Sequence, residues 1–188
     1  TYSTIEIGTQ TWMTENLNVD HYRNGDPIPE VRDPKKWAAL TTGAWCYYDN
    51  DPAKGATYGK LYNWYAVNDP RGLAPQGWHI PSDAEWQALV DHLGGNAVAG
   101  GKMKELGTAH WQSPNTGATN ESGFSALPGG YCLGYGPFGY VGHYADFWSS
   151  TENYSYYAWD RDLNYDDSDV YRLYYDKHYG FSVRCARD

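Results

Sequence analysis

From Tyr154 to Tyr179 the chain crowds phenol rings, carboxylates and amides together: Tyr154, Tyr156 and Tyr157, then Trp159, Asp160, Asp162, Asn164, Tyr165, Asp166, Asp167, Asp169, Tyr171, Tyr174, Tyr175, Asp176, His178 and Tyr179. Twelve of the 19 tyrosines follow residue 130, at no clean strand period. A core cannot absorb that many hydroxyls and carboxylates without partners, so most of them are expected at the surface. The chemistry this mixture suits is recognition. Tyrosine gives a large rigid contact for little entropy, and Ser and Asn give adaptable hydrogen bonds. Tyr156, Tyr157, Trp159, Tyr171, Tyr174, Tyr175 and Tyr179 read as flat anchors. Asp160, Asp162, Asp166, Asp169 and Asp176 read as polar selectors. Replacing only the adenines of an AAC codon yields Tyr, Asp, His, Ser, Thr, Cys and Gly, the vocabulary of these positions, as adenine-directed hypermutation would leave it.

Catalytic constellations are weaker. The six histidines, His21, His79, His92, His110, His143 and His178, stand in no HExxH pattern, and no GxSxG occurs. The spacing of Asp166, Asp167 and Asp169 does not separate a glycosidase pair from a solvated acidic loop, and the loop is the reading adopted. Asp49-Asn50-Asp51 and the tract from Asn164 to Asp169 offer oxygen ligands for a hard cation without EF-hand spacing. A structural calcium could sit there; no cofactor is required. Cys46, Cys132 and Cys185 form no CxxC pair. Their odd number leaves one thiol outside any single bridge; Cys46 with Cys185 is the pair expected if one forms, three small buried residues being the alternative. A formal net charge of −9 argues against nucleic-acid partners and for a partner surface that is basic or neutral. No apolar run approaches the ~18 residues of a membrane span. Many Tyr, Asn, Gly and Trp beside few Lys lean toward an extracellular setting.

The elements that must position these residues are readable in part. Ile5, Ile7, Thr9, Thr11 and Met13 alternate about Gly8, predicting two short strands and a tight turn. Asp33-Pro34 starts a short helix that buries Trp37, Ala38 and Leu40. Gly43 to Tyr48 reads as strand, and Tyr58 to Val67 as an aromatic run whose period chooses neither state. Ser82 and Glu85 form a capping box, and Trp86, Leu89, Val90 and Leu93 make one apolar helix face that Gly94-Gly95 ends. A second helix is predicted over Gly101 to Leu106. Beyond Gly107 helical patterns vanish. The fold class expected is α+β in a single domain of 188 residues, with helices in the first half and an irregular β-rich second half. Trp12, Trp64, Trp78, Trp86, Leu89 and Leu93 are the core candidates of the scaffold, residues 1–130; residues 131–188 carry the binding region.

Six segments carry a resemblance: Ile7-Gly-Thr-Gln-Thr-Trp-Met-Thr-Glu-Asn-Leu17, Tyr58-Gly-Lys-Leu-Tyr-Asn-Trp-Tyr-Ala-Val67, Gly77-Trp-His-Ile-Pro-Ser-Asp-Ala-Glu-Trp86, Asn120-Glu-Ser-Gly-Phe-Ser-Ala-Leu-Pro-Gly-Gly130, Trp148-Ser-Ser-Thr-Glu152 and Gly180-Phe-Ser-Val-Arg-Cys185. Together they resemble the Fibrobacter succinogenes major paralogous domain over essentially the whole chain. The resemblance implies a C-type-lectin-like fold in its formylglycine-generating-enzyme variant. It implies secreted or surface lipoproteins, or phage receptor-binding proteins, and for some members variable proteins of diversity-generating retroelements. On that reading residues 154–179, with parts of 132–146, form a variable face for a protein or glycan ligand on a cell surface, displayed at a bacterial surface or on a phage particle. A fixed-specificity carbohydrate-binding lectin or adhesin is the alternative, although the chain lacks the Glu-Pro-Asn type of calcium triplet. The oxidase chemistry of the same fold variant needs a cysteine five positions after Cys132, where Pro137 stands, so a non-enzymatic domain is expected.

Overall fold

A computed structural model describes residues 2–188. The chain opens on β1 (Thr4–Ile7) and β2 (Gln10–Met13), a hairpin turned through Gly8 at φ 63°. In α1 (Pro34–Ala38), Asp33 accepts from the Lys36 amide, Pro34 takes the first turn, where no N–H is needed, and Trp37 is buried. The strand expected over 43–48 shrinks to β3 (Trp45–Cys46), followed by a 3₁₀ turn and by α2 (Pro52–Tyr58) under an Asp51 cap. The ambiguous aromatic run resolves into both states. β4 (Leu61–Tyr62) pairs with β3, and Asn63 then caps α3 (Trp64–Val67).

After β5 (Trp78–His79) comes α4 (Asp83–His92), with the Ser82–Glu85 box complete in both directions. The next helix is α5 (Asn96–Met103), earlier than the predicted Gly101–Leu106. Gly100 and Gly101 lie inside it because another backbone crosses there: a Cβ on Gly100 would meet the Asp169 carbonyl. Strands follow: β6 (Tyr131–Cys132), β7 (Phe138–Gly139), β8 (Tyr144–Tyr154), β9 (Tyr157–Asn164), β10 (Val170–Asp176) and β11 (Ala186–Arg187). They make a four-stranded sheet ordered β1-β2-β11-β5, a three-stranded sheet β10-β9-β8, and the pairs β3-β4 and β6-β7. Short helices and small antiparallel sheets make the architecture α+β.

The β10-β9-β8 sheet divides the two main cores. Ala145, Phe147, Leu163 and Val170 pack with Trp12, Trp86, Leu89 and Leu93 on one side. Trp148 and Ala158 pack with Tyr62, Trp64, Phe181 and Val183 on the other. Trp78, expected in the core, is only half-buried, since β5 is the outer strand of its sheet. The buried Arg184 joins the first and last family-like segments. Its guanidinium donates to Asn16 Oδ1 at 2.7 Å and to the carbonyls of Met13 and Phe124 at 3.1 and 2.6 Å. All three cysteines are buried and free, and the expected Cys46–Cys185 pairing is not made. Cys185 belongs to the Trp148 side, whereas Cys46 packs with Trp37, Leu61 and Cys132 in a third cluster. The Cys46 thiol lies against Cys132, and burial pushes the Cys46 thiol well above its ordinary value.

Candidate functional site

Side chains alternate along β8, placing Tyr144, Asp146 and Trp148 on one face of the sheet. The register sets Asn164 opposite Tyr144, Asp162 opposite Asp146 and Asp160 opposite Trp148. β10 adds Tyr171 opposite Asp162, Leu173 opposite Asp160 and Tyr175 opposite Ala158. One end of this face packs on the core through Trp148 and Ala158. The other end opens into a cavity of about 300 Å³ lined by Tyr131, Tyr140, Tyr144, Asp146, Asp162, Asn164, Tyr171, Leu173 and Tyr175.

The floor of that cavity is electrostatically costly. Asp146, Asp160 and Asp162 are 1%, 0% and 8% exposed, and among the described residues no salt bridge reaches any of them. Like charges directly opposite on neighbouring strands destabilise a sheet. Asp146 Oδ2, both oxygens of Asp160, Asp162 Oδ1 and Asn164 Oδ1 are buried with no hydrogen-bond partner. Burial, then the neighbouring carboxylates, drives the Asp146 carboxyl well above its ordinary value. Burial and Asp162 do the same to Asp160, although the Arg161 charge pulls the other way. Asp162 is pushed up to about 7, first by burial and then by Asp167.

The opposite face of the same strands is paired. Arg161, 1% exposed, donates from Nη1 to Asp83 Oδ1 at 2.7 Å. Arg172 donates to the same carboxylate from Nη2 at 2.9 Å, and its guanidinium lies 3.4 Å from the Trp159 ring centre. Burial disfavours the Asp83 anion, but Arg172 and Arg161 overcome it and hold the carboxyl below its ordinary value. Tyr174 stands edge-on to Trp159 at 5.5 Å and to Tyr157 at 5.7 Å.

The loop from Asn164 to Asp169 is held by its backbone. Lys104, fully buried, donates from Nζ to the carbonyls of Thr116, Asn164 and Asp167 at 2.9, 2.8 and 2.6 Å, and burial lowers its pKa to about 8. The Gly101 amide donates to the Ser168 carbonyl at 3.1 Å. Asp166 is exposed, Tyr165 and Asp169 are half-buried, and Asp167 Oδ2 accepts from the Tyr171 hydroxyl at 2.8 Å. The loop is therefore rigid at the main chain and open at selected side chains. The tip between β8 and β9 is the most exposed aromatic surface, with Tyr154 at 69% and Tyr156 at 72%. A second groove holds Asp176, His178 and Tyr179 beside Tyr135 and Gly134, with His178 Nδ1 2.6 Å from Asp176 Oδ1. The Tyr175–Tyr179 and Tyr131–Tyr179 ring contacts, at 5.1 and 6.1 Å, join this groove to the acidic cavity.

The profile of the Fibrobacter succinogenes major domain matches residues 5–187. The chain belongs to this family. No curated protein and no solved structure matches it.

In this Fibrobacter major domain most of the recognition residues expected from sequence fall on three surfaces, while Tyr165, Asp166, Asp167 and Asp169 belong to the 164–169 loop. Tyr154, Tyr156, Tyr157, Trp159 and Tyr174 gather at the tip and along the paired side of the sheet. Asp162, Asn164, Tyr171 and Tyr175 line the cavity. Asp176, His178 and Tyr179 form the groove. The displayed position expected for Asp160 is corrected: it is fully buried, because strand alternation puts it beside Trp148 under Leu173. Asp162 is nearly as buried, and Tyr175 is half-buried against the core. Asp146, Tyr131, Tyr140, Tyr144 and Leu173 also line the cavity. The period-2 spacing of Tyr144, Asp146 and Trp148 was the available signal for the β8 part of that set. For calcium, Asp51 Oδ1 is used to cap Ala53, and among the described residues no group of three or more His, Cys, Asp or Glu side chains could hold a metal ion.

Proposed function

We propose that this domain is a non-enzymatic recognition module whose face from residues 131–188 is displayed outside the cell for a protein or glycan ligand. The observation that carries this reading is the join between a fixed backbone and a variable-looking surface. Lys104 and the glycines of α5 fix the 164–169 loop, and Arg184 ties down the C-terminal segment. On that frame stand Tyr154, Tyr156 and Tyr174, more than half exposed, with no core to fill. Such side chains are free to change without loss of fold. The sequence resemblance supports a C-type-lectin-like scaffold diversified by a retroelement and carried on a surface lipoprotein or phage particle. The test is the neighbouring DNA. A near-copy of the segment coding for residues 131–188, differing mainly at adenines and lying beside a reverse transcriptase gene, is expected. Its absence removes the retroelement from the reading. Calcium-dependent binding to one glycan class shared by close relatives would replace variable recognition with a fixed lectin.

A further inference from the structure

We infer that the cavity between β8, β9 and β10 binds an organic ammonium group, the alkylammonium head of a lysine side chain on the partner, with Asp162 as its counter-charge, Asp146 and Asn164 as further oxygen acceptors and tyrosine rings as its walls. This rests on the display reading of the face and names the chemistry of one of its pockets.

Three independent features point to such a ligand. The first is missing donors. Asp146, Asp162 and Asn164 all line the cavity, and each keeps a buried oxygen without a partner. A buried polar atom left unpaired calls for an unseen donor. An ammonium brings three N–H donors and one positive charge, which suits three such acceptors. The second is wall chemistry. Five tyrosines, Tyr131, Tyr140, Tyr144, Tyr171 and Tyr175, surround the opening. The Tyr140–Tyr144 and Tyr131–Tyr140 ring centres are 5.0 and 5.5 Å apart, so these three rings form one continuous side of the opening. Aromatic faces attract organic cations and offer little to a hydrated metal ion. The third is what the floor lacks. A bare divalent cation such as calcium takes about six to eight oxygen ligands, whereas among the described residues no metal-holding group of acids exists. Asp160 lies behind the floor, adds negative potential and does not itself line the cavity. The volume of about 300 Å³ accepts a side-chain head and excludes a folded segment.

The whole 188-residue chain is titrated with butylammonium chloride at about pH 8, where Asp162 is ionised, while tyrosine ring resonances are followed by NMR. Saturable shifts in the millimolar range are expected on Tyr131, Tyr144, Tyr171 and Tyr175. They are absent with neutral 1-butanol and at least about tenfold weaker in Asp162→Asn. Acetyl-Gly-Lys-Gly-amide binding at least as well as butylammonium assigns the cation to a partner's lysine. Response to the free amine alone moves the source to a small molecule and overturns the lysine assignment. No saturable shift with either amine, equal shifts with butanol, or occupation by calcium chloride in place of the amine overturns the site itself. Should Asp162→Asn misfold, the contrast between butylammonium and butanol on the unmodified chain decides. Failure here leaves the display reading intact, because Tyr154, Tyr156 and Tyr174 lie outside the cavity. A missing adenine-altered near-copy, in turn, does not touch the ammonium result.

Discussion

On the helix-facing side of the β10-β9-β8 sheet, Arg161 and Arg172 share the Asp83 carboxylate. On the other side, at the neighbouring positions of the same strands, Asp146, Asp160 and Asp162 have no ion-pair partner among the described residues. The first arrangement can be explained by folding alone, since each desolvated charge meets its opposite. The second works against folding. A chain that keeps two buried carboxylates in the floor of a cavity and a third behind it is holding electrostatic free energy that an incoming cation can relieve. The contrast separates charges that secure the sheet from charges that prepare it for a partner.

Removing one member of the paired side breaks this comparison most severely. Arg161→Ala removes a buried partner of Asp83 but leaves it paired with Arg172, and a loss of about 2–3 kcal/mol is expected in urea unfolding. The acidic side should respond to pH in the opposite sense from an ordinary ion pair. Asp162 faces Asp146 from β8, Asp160 on its own strand, Tyr171 from β10, Tyr144 at the rim and Asp167 from the loop. Its folded value, about 7, lies above the ordinary carboxylate value near 3.9, so the folded state holds the proton longer. The associated stability is complete below about pH 4 and is lost as pH rises through about 7. Thermal scans at about pH 5 and 8 should therefore give a lower Tm at the higher pH, and Asp162→Asn should flatten that difference. Tyr175→Ala should cost about 1–3 kcal/mol, because the ring packs on Phe181 at 5.1 Å. Tyr174→Ala should stay within about 0.5 kcal/mol. If the two tyrosines cost the same, the assignment of one to the core and one to the surface is wrong.

How much of this was legible in the sequence depends on the range of the interaction. Local signals held. The Ser82–Glu85 box, the Asp33 cap and the Gly8 turn each involve residues within four positions, and the structure carries all of them. The start of α5 was not legible, because Gly100 and Gly101 lie inside it to admit the chain at residues 168 and 169, which no local window contains. The aromatic split was legible in outline. Trp12, Trp64, Trp86 and Trp148 are buried, and Tyr154, Tyr156 and Tyr174 are displayed. Composition could not say which acids turn inward, because that follows from the β8–β9 register, and a shift of one residue would reverse it. Nor could spacing find that Cys46 neighbours Cys132, since the contact spans β3, β4 and the β6 hairpin.

The first and last strands lie in one sheet, with β11 between β2 and β5 and the Asp188 amide donating to the Gly77 carbonyl. Tension applied through the two ends of the domain would enter this four-stranded sheet first, away from β8, β9 and β10. The route from that sheet to the cavity strand is short: the Ser182 amide donates to the Asp146 carbonyl at 3.2 Å and the Ser182 carbonyl accepts from the Trp148 amide at 3.2 Å, so load on the C-terminal segment would reach β8 through these two bonds.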